Sequence, residues 1–395
     1  MSDRDHILII GAGLGGLVLA IGLRDAGFPI TVFERDASPT ERNQGYYNRY
    51  SQFGLNALRN LIPDRLIKEM EAQSNQLTNE GPDNPFAWHF ISADGSREQR
   101  VWVPPALDPL VKSVQEKWIW IRRDAFRKVL IREMAGNIKW NHRSDSHECS
   151  DDGITATFSN GSSFKGKLLV GCDGNMSKVA AAMGIPPPYT SKTELISGLV
   201  ENTPEVLSAL DRRRQNCLSL TSDYTTGGPT PRAGPAILQT VQSDTSPISS
   251  WMSVRREGFV TSIDNLPKAE LAGLAKETLQ GFDPSLTRIV ELTEPHNMIP
   301  WKLRVRSKVP EWTTQPRITL LGDAIHSMSP AGGNGANMAF VSASMLLKAL
   351  TAGRDRIGKD AAVLKEYEDS MRSTANVIMA GVKQMSVGIF GIDYE

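Results

Sequence analysis

The chain has 395 residues, with 44 basic and 44 acidic side chains and a formal net charge of zero. Balanced charge gives no bulk attraction to nucleic acid, so we expect no nucleic-acid partner. The length exceeds that of one ordinary domain and favours two lobes. The three cysteines show no paired spacing and no nearby pattern of histidine ligands, which predicts reduced thiols and no metal site.

Both ends of the sequence predict a cytoplasmic protein. A short polar start leads directly to an apolar run at Ile7, which leaves no room for a signal peptide. The apolar stretch from Val377 to Ile392 is interrupted by Lys383 and by glycines, so we expect no stable membrane insertion. Whether this helix touches a membrane surface stays open. We expect a monomer or a homodimer.

The first predicted elements form a β-α-β unit over residues 1–36. The elements predicted after it are a helical region at 50–80 broken at Pro63, loops and a hairpin from Asn79 to Pro109, a helix from Ile121 to Met134, a hairpin from Ile154 to Phe164, and a strand at Leu168–Val170. Strands followed by helices in this order predict an α/β, Rossmann-like nucleotide-binding domain.

Between about 190 and 305 the pattern changes to short extended segments separated by turns rich in Pro, Gly, Ser and Thr. The extended segments are Leu195–Val200, Cys217–Leu220, Ala236–Val241 and Ile248–Val254. They predict an antiparallel sheet inserted into the nucleotide-binding domain. Strand Ile318–Leu321 then returns to the first lobe, Met338–Leu350 is an apolar helix, and the rest is mostly helical.

The first motif is a glycine-rich turn between the first strand and the first helix. Gly11 allows a tight turn, Gly13 lets the backbone approach a pyrophosphate, and Gly16 lets the helix pack against the strand. The turn, which includes Leu14, opens an apolar helix-like stretch from Leu17 to Leu23, and the N-terminus of this helix favours negative charge. Glu34 ends the second strand, where a carboxylate can bind both hydroxyls of an adenosine ribose. The pattern indicates a dinucleotide site.

Two further motifs follow in the sequence. They are Cys172-Asp173-Gly174-x-x-Ser177, and Gly322-Asp323-Ala324-x-His326 followed by Pro330-x-x-Gly333-x-Gly335-x-Asn337. In this order and spacing, the three motifs resemble the single-component (group A) FAD-dependent aromatic monooxygenases. That family includes para-hydroxybenzoate hydroxylase and the tetracycline-degrading flavin monooxygenases. The resemblance covers roughly 1–190 and 300–350 and is weak in the inserted sheet.

The resemblance implies an enzyme with bound FAD that NADPH or NADH reduces transiently. It implies that O2 is the co-substrate and that oxygen passes, through a flavin C4a-hydroperoxide, to a bulky aromatic or secondary-metabolite substrate. The alternatives are Baeyer–Villiger insertion, epoxidation or simple FAD-linked reduction on the same scaffold, and a non-catalytic flavin-binding protein. We assign the FAD-binding domain to 1–80, 110–190 and 300–350, the substrate sheet to 80–110 and 190–300, and a C-terminal helical segment to 350–395.

The residues predicted to bind FAD combine the glycine turns, acids that can bind hydroxyls, and arginines that can bind phosphate. Pro330 and Gly333 are predicted to line the flavin loop, and we name no catalytic side chain because the chemistry is centred on the flavin. The predicted cofactor-binding residues are Gly11, Gly13, Leu14, Gly16, Glu34, Arg35, Arg42, Arg123, Asp173, Asp323, Gly333, Gly335, Ala336 and Asn337.

The sequence departs from the family pattern at two positions. Ala180 stands where relatives carry an arginine, which leaves the choice between NADH and NADPH open, and Ser342 stands where many relatives have an aspartate. We assign His326 to support of its loop rather than to acid–base chemistry. The aromatic residues near the inserted sheet suggest a bulky ligand, although such residues are more often core than pocket; they are Tyr224, Trp251, Phe259 and Trp301.

Overall fold

The structure is a computed structural model that describes residues 6–41, 46–73, 87–102, 119–209, 217–224, 231–241, 248–255, 263 and 266–394. The strands are β1 (Ile7–Ile10), β2 (Ile30–Phe33), β3 (Tyr47–Tyr50), β4 (Ala87–Ser92), β5 (Glu98–Trp102), β6 (Ile119–Arg122), β7 (Ile138–Lys139), β8 (Ser144–Ser150), β9 (Gly153–Phe158), β10 (Ser163–Gly166), β11 (Leu168–Gly171), β12 (Tyr189–Glu201), β13 (Cys217–Tyr224), β14 (Pro231–Val241), β15 (Ile248–Arg255), β16 (Met298–Val305) and β17 (Ile318–Leu320).

The α-helices are α1 (Leu14–Asp25), α2 (Gln52–Arg59), α3 (Asp64–Ala72), α4 (Arg123–Glu133), α5 (Lys178–Ala182), α6 (Pro204–Ala209), α7 (Lys268–Thr278), α8 (Pro284–Glu291), α9 (Asp323–His326), α10 (Gly335–Ala352) and α11 (Ala362–Met385). Short 3-10 helices cover Ala135–Asn137, Pro295–Asn297, Ala331–Gly333 and Arg354–Arg356, and a π-helix covers Ser386–Phe390.

A parallel sheet forms the centre of the first lobe, with strand order β17-β11-β1-β2-β7. Its central strands are buried along their length, as expected for parallel strands covered on both faces. Ile7 pairs with Leu168 on one side and with Ile30 on the other. Helix α1 packs against α10 beside this sheet. The predicted Rossmann-like α/β fold is confirmed.

A seven-stranded sheet forms the second layer, with strand order β16-β12-β15-β14-β13-β4-β5. Its neighbouring strands are antiparallel, apart from β4 and β13, which run parallel. The predicted antiparallel sheet is therefore confirmed, with one parallel pair that the sequence does not indicate. Strands from both assigned segments build it, and the domain boundaries themselves stay a prediction.

Two smaller pairings correct or support the predicted elements. The predicted hairpin is confirmed, because β9 and β10 pair through a turn in which Gly161 has a φ of 83°. The helix predicted from Ile121 begins instead at Arg123. Ile119 and Ile121 are the buried residues of strand β6, which pairs with β3, so long-range pairing overrides the local helical pattern.

The helices agree with the sequence at their main breaks. The predicted break at Pro63 separates α2 from α3, and Pro63 precedes the first residue of α3. The helix predicted from Met338 begins earlier, at Gly335. Among the helices that the structure describes, none is both long and apolar enough to cross a membrane.

Candidate cofactor site

The glycine turn between β1 and α1 is tight because its backbone lies directly against the backbone at Cys172 and against itself. Gly11 has a φ of 110°, and a Cβ on it would lie 2.3 Å from the carbonyl oxygen of Cys172. A Cβ on Gly16 would lie 2.3 Å from the carbonyl oxygen of Gly11. Any side chain at either position would push the turn away from its neighbours, which accounts for both glycines physically.

Gly13 differs, since a Cβ placed on it would meet nothing within 4 Å. It lines a cavity of about 790 Å³ that begins at this turn. Helix α1 starts directly after it, with no side-chain cap and no acidic residue in its first turn. The free N–H groups at this helix end favour a negatively charged group in the space beside Gly13.

Glu34 is buried beside the same turn. One of its carboxylate oxygens accepts a hydrogen bond from the Ala12 N–H at 2.8 Å, and the other accepts one from the Asp36 N–H at 3.1 Å. The buried Arg127 has its Nη2 3.9 Å from the Glu34 Oε2, and its Nε donates to the Ala12 carbonyl at 2.9 Å. Glu34 therefore shapes the turn and also lines the cavity.

Asp173 also lines the cavity. Its Oδ2 accepts hydrogen bonds from the Lys178 N–H at 2.8 Å and the Val179 N–H at 3.3 Å. Its Oδ1 is buried and has no hydrogen-bond partner among the described residues. Burial raises the pKa of the Asp173 carboxyl, while hydrogen bonds from Ser177 and from backbone N–H groups lower it. A buried oxygen without a partner suits a ligand that can donate a hydrogen bond.

The far end of the cavity joins the first lobe to the seven-stranded sheet. Tyr46 and Trp301 both line it and meet edge to face, with ring centroids 4.7 Å apart. The Arg123 guanidinium lies 5.6 Å from the centre of the Tyr46 ring. Asp323, the first residue of α9, is exposed, yet the surrounding protein raises its pKa by desolvation, and Arg123 lowers it.

The second glycine-rich segment, 330–337, is tied to β3 rather than to this cavity. Asn337 accepts a hydrogen bond from the Ser51 N–H at 3.0 Å and donates to the carbonyls of Arg49 and Gly333, each at 2.9 Å. Arg49 also donates to the carbonyl of Gly332. The Asn337 side chain thus fixes the shape of the segment, which we predict to lie against the flavin.

His326, the last residue of α9, is fully buried. Its Nε2 lies 3.0 Å from the Ser342 hydroxyl, and burial lowers the pKa of the ring to about 4. Ser342 therefore holds this histidine from the position where many relatives carry an aspartate. A neutral, buried ring agrees with our assignment of His326 to loop support.

The cavity brings six of the fourteen predicted cofactor residues together, namely Gly11, Gly13, Glu34, Arg35, Arg123 and Asp173. Arg42 lies outside the described residues. The other predicted residues do not line this cavity, and their assignments stay predictions; they are Leu14, Gly16, Asp323, Gly333, Gly335, Ala336 and Asn337. Pro330, predicted to line the flavin loop, does not line it either.

Sequence reasoning missed several residues that shape the site, among them Tyr46, Arg49, Arg127 and Arg306. Arg127 follows Arg123 in the stretch Ile121-x-Arg123-x-x-Phe126-Arg127, which resembles an FAD-contacting pattern of the family, but we predicted only Arg123 from it. The others have no local pattern, since they reach the site only through long-range folding.

Two of the aromatic residues near the sheet can now be separated. Trp251 is core, because it is 2% exposed, donates to Thr293 at 2.8 Å and packs over Gly198. Trp301 lines the cavity instead. The Tyr224 side chain and all of Phe259 lie outside the described residues.

The residues of this cavity fit FAD. The open space at Gly13 and the uncapped start of α1 suit a pyrophosphate, and the unpartnered Asp173 oxygen suits a hydrogen-bond donor. Glu34 lines the cavity directly after β2, where a carboxylate can accept hydrogen bonds from the hydroxyls of an adenosine ribose.

Comparisons with known proteins point to the same cofactor. The dual O-methyltransferase/FAD-dependent monooxygenase CTB3 of Cercospora beticola is 27% identical over 421 residues, with 95% of this chain and 45% of CTB3 covered. The FAD-dependent monooxygenase thnD of Trichoderma harzianum is 26% identical, with 98% of this chain and 93% of thnD covered. The chain thus spans about half the length of CTB3 but nearly all of thnD.

Among solved structures, Klebsiella pneumoniae HpxO in complex with FAD and uric acid superposes with a TM-score of 0.74 at 18% identity, covering 98% of this chain and 89% of HpxO. This likeness supports the fold. The names of the curated relatives confirm the predicted resemblance to FAD-dependent monooxygenases and agree with the predicted oxidoreductase class. A family model described as the FAD binding domain matches residues 4–381, so the chain belongs to that family and binds FAD as its cofactor.

Proposed function

We propose that the chain is a monooxygenase that uses FAD, NAD(P)H and O2 to hydroxylate a bulky aromatic or secondary-metabolite substrate. The observation that carries this proposal is the continuity of one cavity. It runs from the glycine turn at Gly13, past Asp173, to Trp301 on the seven-stranded sheet. A dinucleotide and a small molecule can therefore meet in one space between the two lobes.

The adenosine end of FAD is assigned to the turn and to Glu34. Each Glu34 oxygen accepts one backbone N–H, which leaves lone pairs free for ribose hydroxyls. The pyrophosphate is assigned to the space beside Gly13 at the start of α1. Arg35 is exposed beside Glu34 and lines the cavity, so it can approach a phosphate from the solvent side.

The reacting end of the cofactor is assigned to the region between Arg123, Asp323 and segment 330–337. When bound, FAD supplies the redox chemistry that activates O2, which protein side chains do not supply. The protein orients the ring system, and Trp301 and the run Pro186–Pro188 give the cavity apolar walls that exclude water. His326 does not line the cavity, so we give it no part in moving protons at the reacting atoms.

The reductant is assigned to the stretch of cavity beside Asp173 and Arg306. The sequence holds one dinucleotide fingerprint, so NADH or NADPH must bind transiently in the same cleft. Arg306 is 8% exposed and donates to the Pro186 carbonyl at 2.7 Å, while its buried Nε has no hydrogen-bond partner among the described residues. A buried cation beside an apolar wall suits the diphosphate of the donor.

The substrate is assigned to the end of the cavity at Tyr46 and Trp301. Trp301 is fixed by its hydrogen bond to Ser197 at 2.7 Å and by the edge-on contact with Tyr46. Two fixed aromatic faces favour a flat, largely apolar ligand. HpxO, which shares the fold, is bound to uric acid in its crystal structure, and this supports a small-molecule substrate.

The direct test is isotope transfer in the reconstituted protein. FAD-loaded protein is mixed with NADH or NADPH, a panel of aromatic compounds and 18O2, and products are analysed by mass spectrometry. We expect donor consumption that a matching aromatic compound accelerates, and one 18O atom in a hydroxylated product.

The alternatives give other outcomes in the same assay. A product with 18O in a ring-expanded ester or an epoxide would replace hydroxylation by Baeyer–Villiger or epoxidising chemistry. A reduced product without 18O would indicate a reductase. Binding of FAD without any donor consumption would reject an enzymatic role.

A further inference from the structure

The chain reverses direction after α11 and returns to the sheet. The π-helix Ser386–Phe390 ends at Gly391, which has a φ of 61°, and the Ile392 N–H donates to the Ser386 carbonyl at 3.1 Å. Ile392 and Tyr394 are consequently buried, at 2% and 5% exposure. They form one apolar cluster with residues of the sheet and with the start of the second glycine-rich segment; its other buried members are Leu195, Val254, Leu303, Val305, Ala331 and Met385.

Three buried hydroxyl groups connect the returning chain to the glycine-rich segment. The Tyr394 hydroxyl donates to the Ser386 Oγ at 3.2 Å, and the Ser386 Oγ donates to the Val382 carbonyl at 2.5 Å. The Ser386 hydroxyl has one proton, which it donates to the Val382 carbonyl. In the contact between the Ser329 Oγ and the Ser386 Oγ, Ser329 is therefore the donor. The Ser329 Oγ in turn accepts the Ala331 N–H at 3.3 Å. Tyr394 and Ser329 therefore both donate to Ser386, and the hydrogen bonds connect the Ala331 N–H of the segment, through Ser329 and Ser386, to the Val382 carbonyl of α11.

Asp393 fixes the same returning chain to the sheet. Its carboxylate accepts hydrogen bonds from the Tyr189 hydroxyl at 2.5 Å, the Lys192 N–H at 3.0 Å and the Ser191 hydroxyl. Burial raises the pKa of Asp393, but these hydrogen bonds outweigh it and lower the pKa below its ordinary value. The carboxylate is thus ionised at neutral pH and holds Tyr394 in register with Ser386.

The glycine-rich segment needs such support because its backbone is unusual. Gly332 and Gly333 have φ values of 76° and 64°. Arg49 contacts the segment from β3, and a Cβ on Gly333 would lie 3.2 Å from the Cβ of Arg49. Near Gly332, the Met385 sulfur would lie 3.4 Å from an added Cβ. The segment is therefore held between β3 and the chain that follows α11.

We infer that Asp393, Tyr394 and Ser386 are positioning residues, which set the conformation of segment 330–337 for the flavin through Ser329 and the Ala331 amide. This inference rests on the proposed function, since that function places the flavin against the segment. Neither these three residues nor the segment lines the described cavity, so the effect on FAD depends on the proposed placement of the flavin against the segment.

The test compares Tyr394→Phe with Asp360→Asn. Asp360 also accepts a backbone hydrogen bond, from the Ala362 N–H at 2.9 Å, but at the opposite end of α11. In the FAD-free protein, Tyr394→Phe should speed amide hydrogen exchange in the peptide that contains Ala331 by about fivefold. This is the change in rate expected from the loss of the free energy of one hydrogen bond. FAD should bind about fivefold more weakly, and its absorption spectrum should shift. Asp360→Asn should change none of these.

Ser386→Ala removes the hydroxyl that both Tyr394 and Ser329 contact, and it should reproduce the effect. This second variant also tests the inference if Tyr394→Phe does not fold. The inference is overturned if both variants lower the melting temperature but leave exchange at Ala331 and FAD affinity as in the unsubstituted protein. If amide exchange at Ala331 becomes faster in the variants while the unsubstituted protein binds no FAD, the proposed function fails. The coupling of Tyr394 and Ser386 to the glycine-rich segment then still holds.

Discussion

The two glycine-rich segments of this molecule owe their shape to different causes. In the first, Gly11 and Gly16 are required because backbone atoms of the same β-α-β region and of Cys172 would collide with any side chain. In the second, Gly332 and Gly333 allow an unusual backbone, which is held by Arg49, Asn337 and the chain after α11. The first turn is specified by close approach of its own backbone to itself and to Cys172 after β11, whereas the second is held by side-chain hydrogen bonds from Arg49 and Asn337 and by the chain after α11.

The difference matters for function. A turn fixed by backbone collisions offers a rigid anchor for the part of FAD that does not react. A segment held by hydrogen bonds from several elements can respond to changes elsewhere, and it is the one that we place beside the reacting ring. Substitutions at Gly11 or Gly16 should therefore affect folding together with binding, whereas substitutions at the residues that hold the second segment should act mainly on cofactor binding.

The sharpest comparison is within the first turn, between Gly11→Ala and Gly13→Ala. The first substitution puts a Cβ against a carbonyl oxygen at a φ of 110° and should destabilise the FAD-free protein by about 3 kcal/mol or more. The second adds a Cβ that meets no protein atom, at a φ of −73° that alanine adopts freely. It should change the free energy of unfolding by less than about 1 kcal/mol.

FAD affinity should fall more than about tenfold in Gly13→Ala, because the new Cβ occupies the space assigned to the pyrophosphate. Chemical denaturation of the FAD-free proteins and flavin fluorescence titration measure the two quantities separately. Equal FAD affinity in Gly13→Ala and the unsubstituted protein would remove the pyrophosphate from this position.

The second largest effect is expected for Asp323→Ala, at the entrance to the second segment. A carboxylate that binds a hydroxyl of the ribityl chain contributes about 1.5–3 kcal/mol, so FAD affinity should fall by about tenfold or more. Asp323 is exposed, and the FAD-free protein should keep its stability. Asp355→Ala, at an exposed acid in a 3-10 helix, is the matched control. Unchanged FAD binding in a folded Asp323→Ala protein would refute the ribityl assignment.

The same contrast explains what could be predicted from the sequence. The strands, the hairpin ending near Phe164 and the dinucleotide turn follow from local patterns, since apolar runs and glycine spacing act over a few residues. The parallel pairing of β4 with β13, the strand at Ile119–Arg122 and the role of Arg49 depend on chain segments far apart in sequence. No local pattern carries that information. The cytoplasmic location and the oligomeric state stay predictions.

Arg306→Gln should change the reductant and leave FAD alone. Removing the buried guanidinium should raise the KM for NADH or NADPH by about tenfold, as expected for a lost charge-assisted contact. FAD affinity should stay within about twofold of the unsubstituted value, since we assign no part of FAD to Arg306. Arg304→Gln makes the same charge change at a residue that does not line the cavity. A loss of FAD in Arg306→Gln with an unchanged KM would move Arg306 to the FAD site.

The smallest effect on turnover is expected at His326, where the consequence should be confined to stability. The folded protein lowers the pKa of this histidine from 6.5 to about 4, so between these values the unfolded chain binds a proton that the folded protein does not. The free energy of unfolding is therefore undiminished by this group above pH 6.5 and should fall by about 3 kcal/mol as the pH decreases to 4. In His326→Gln this part of the pH dependence should disappear, whereas the exposed His296→Gln should keep it.

Denaturation at a series of pH values measures how the free energy of unfolding changes with pH. Turnover across the same pH range should keep its profile in both variants. If His326→Gln instead removes a titration step from turnover while FAD stays bound, the ring acts as an acid or base despite its burial.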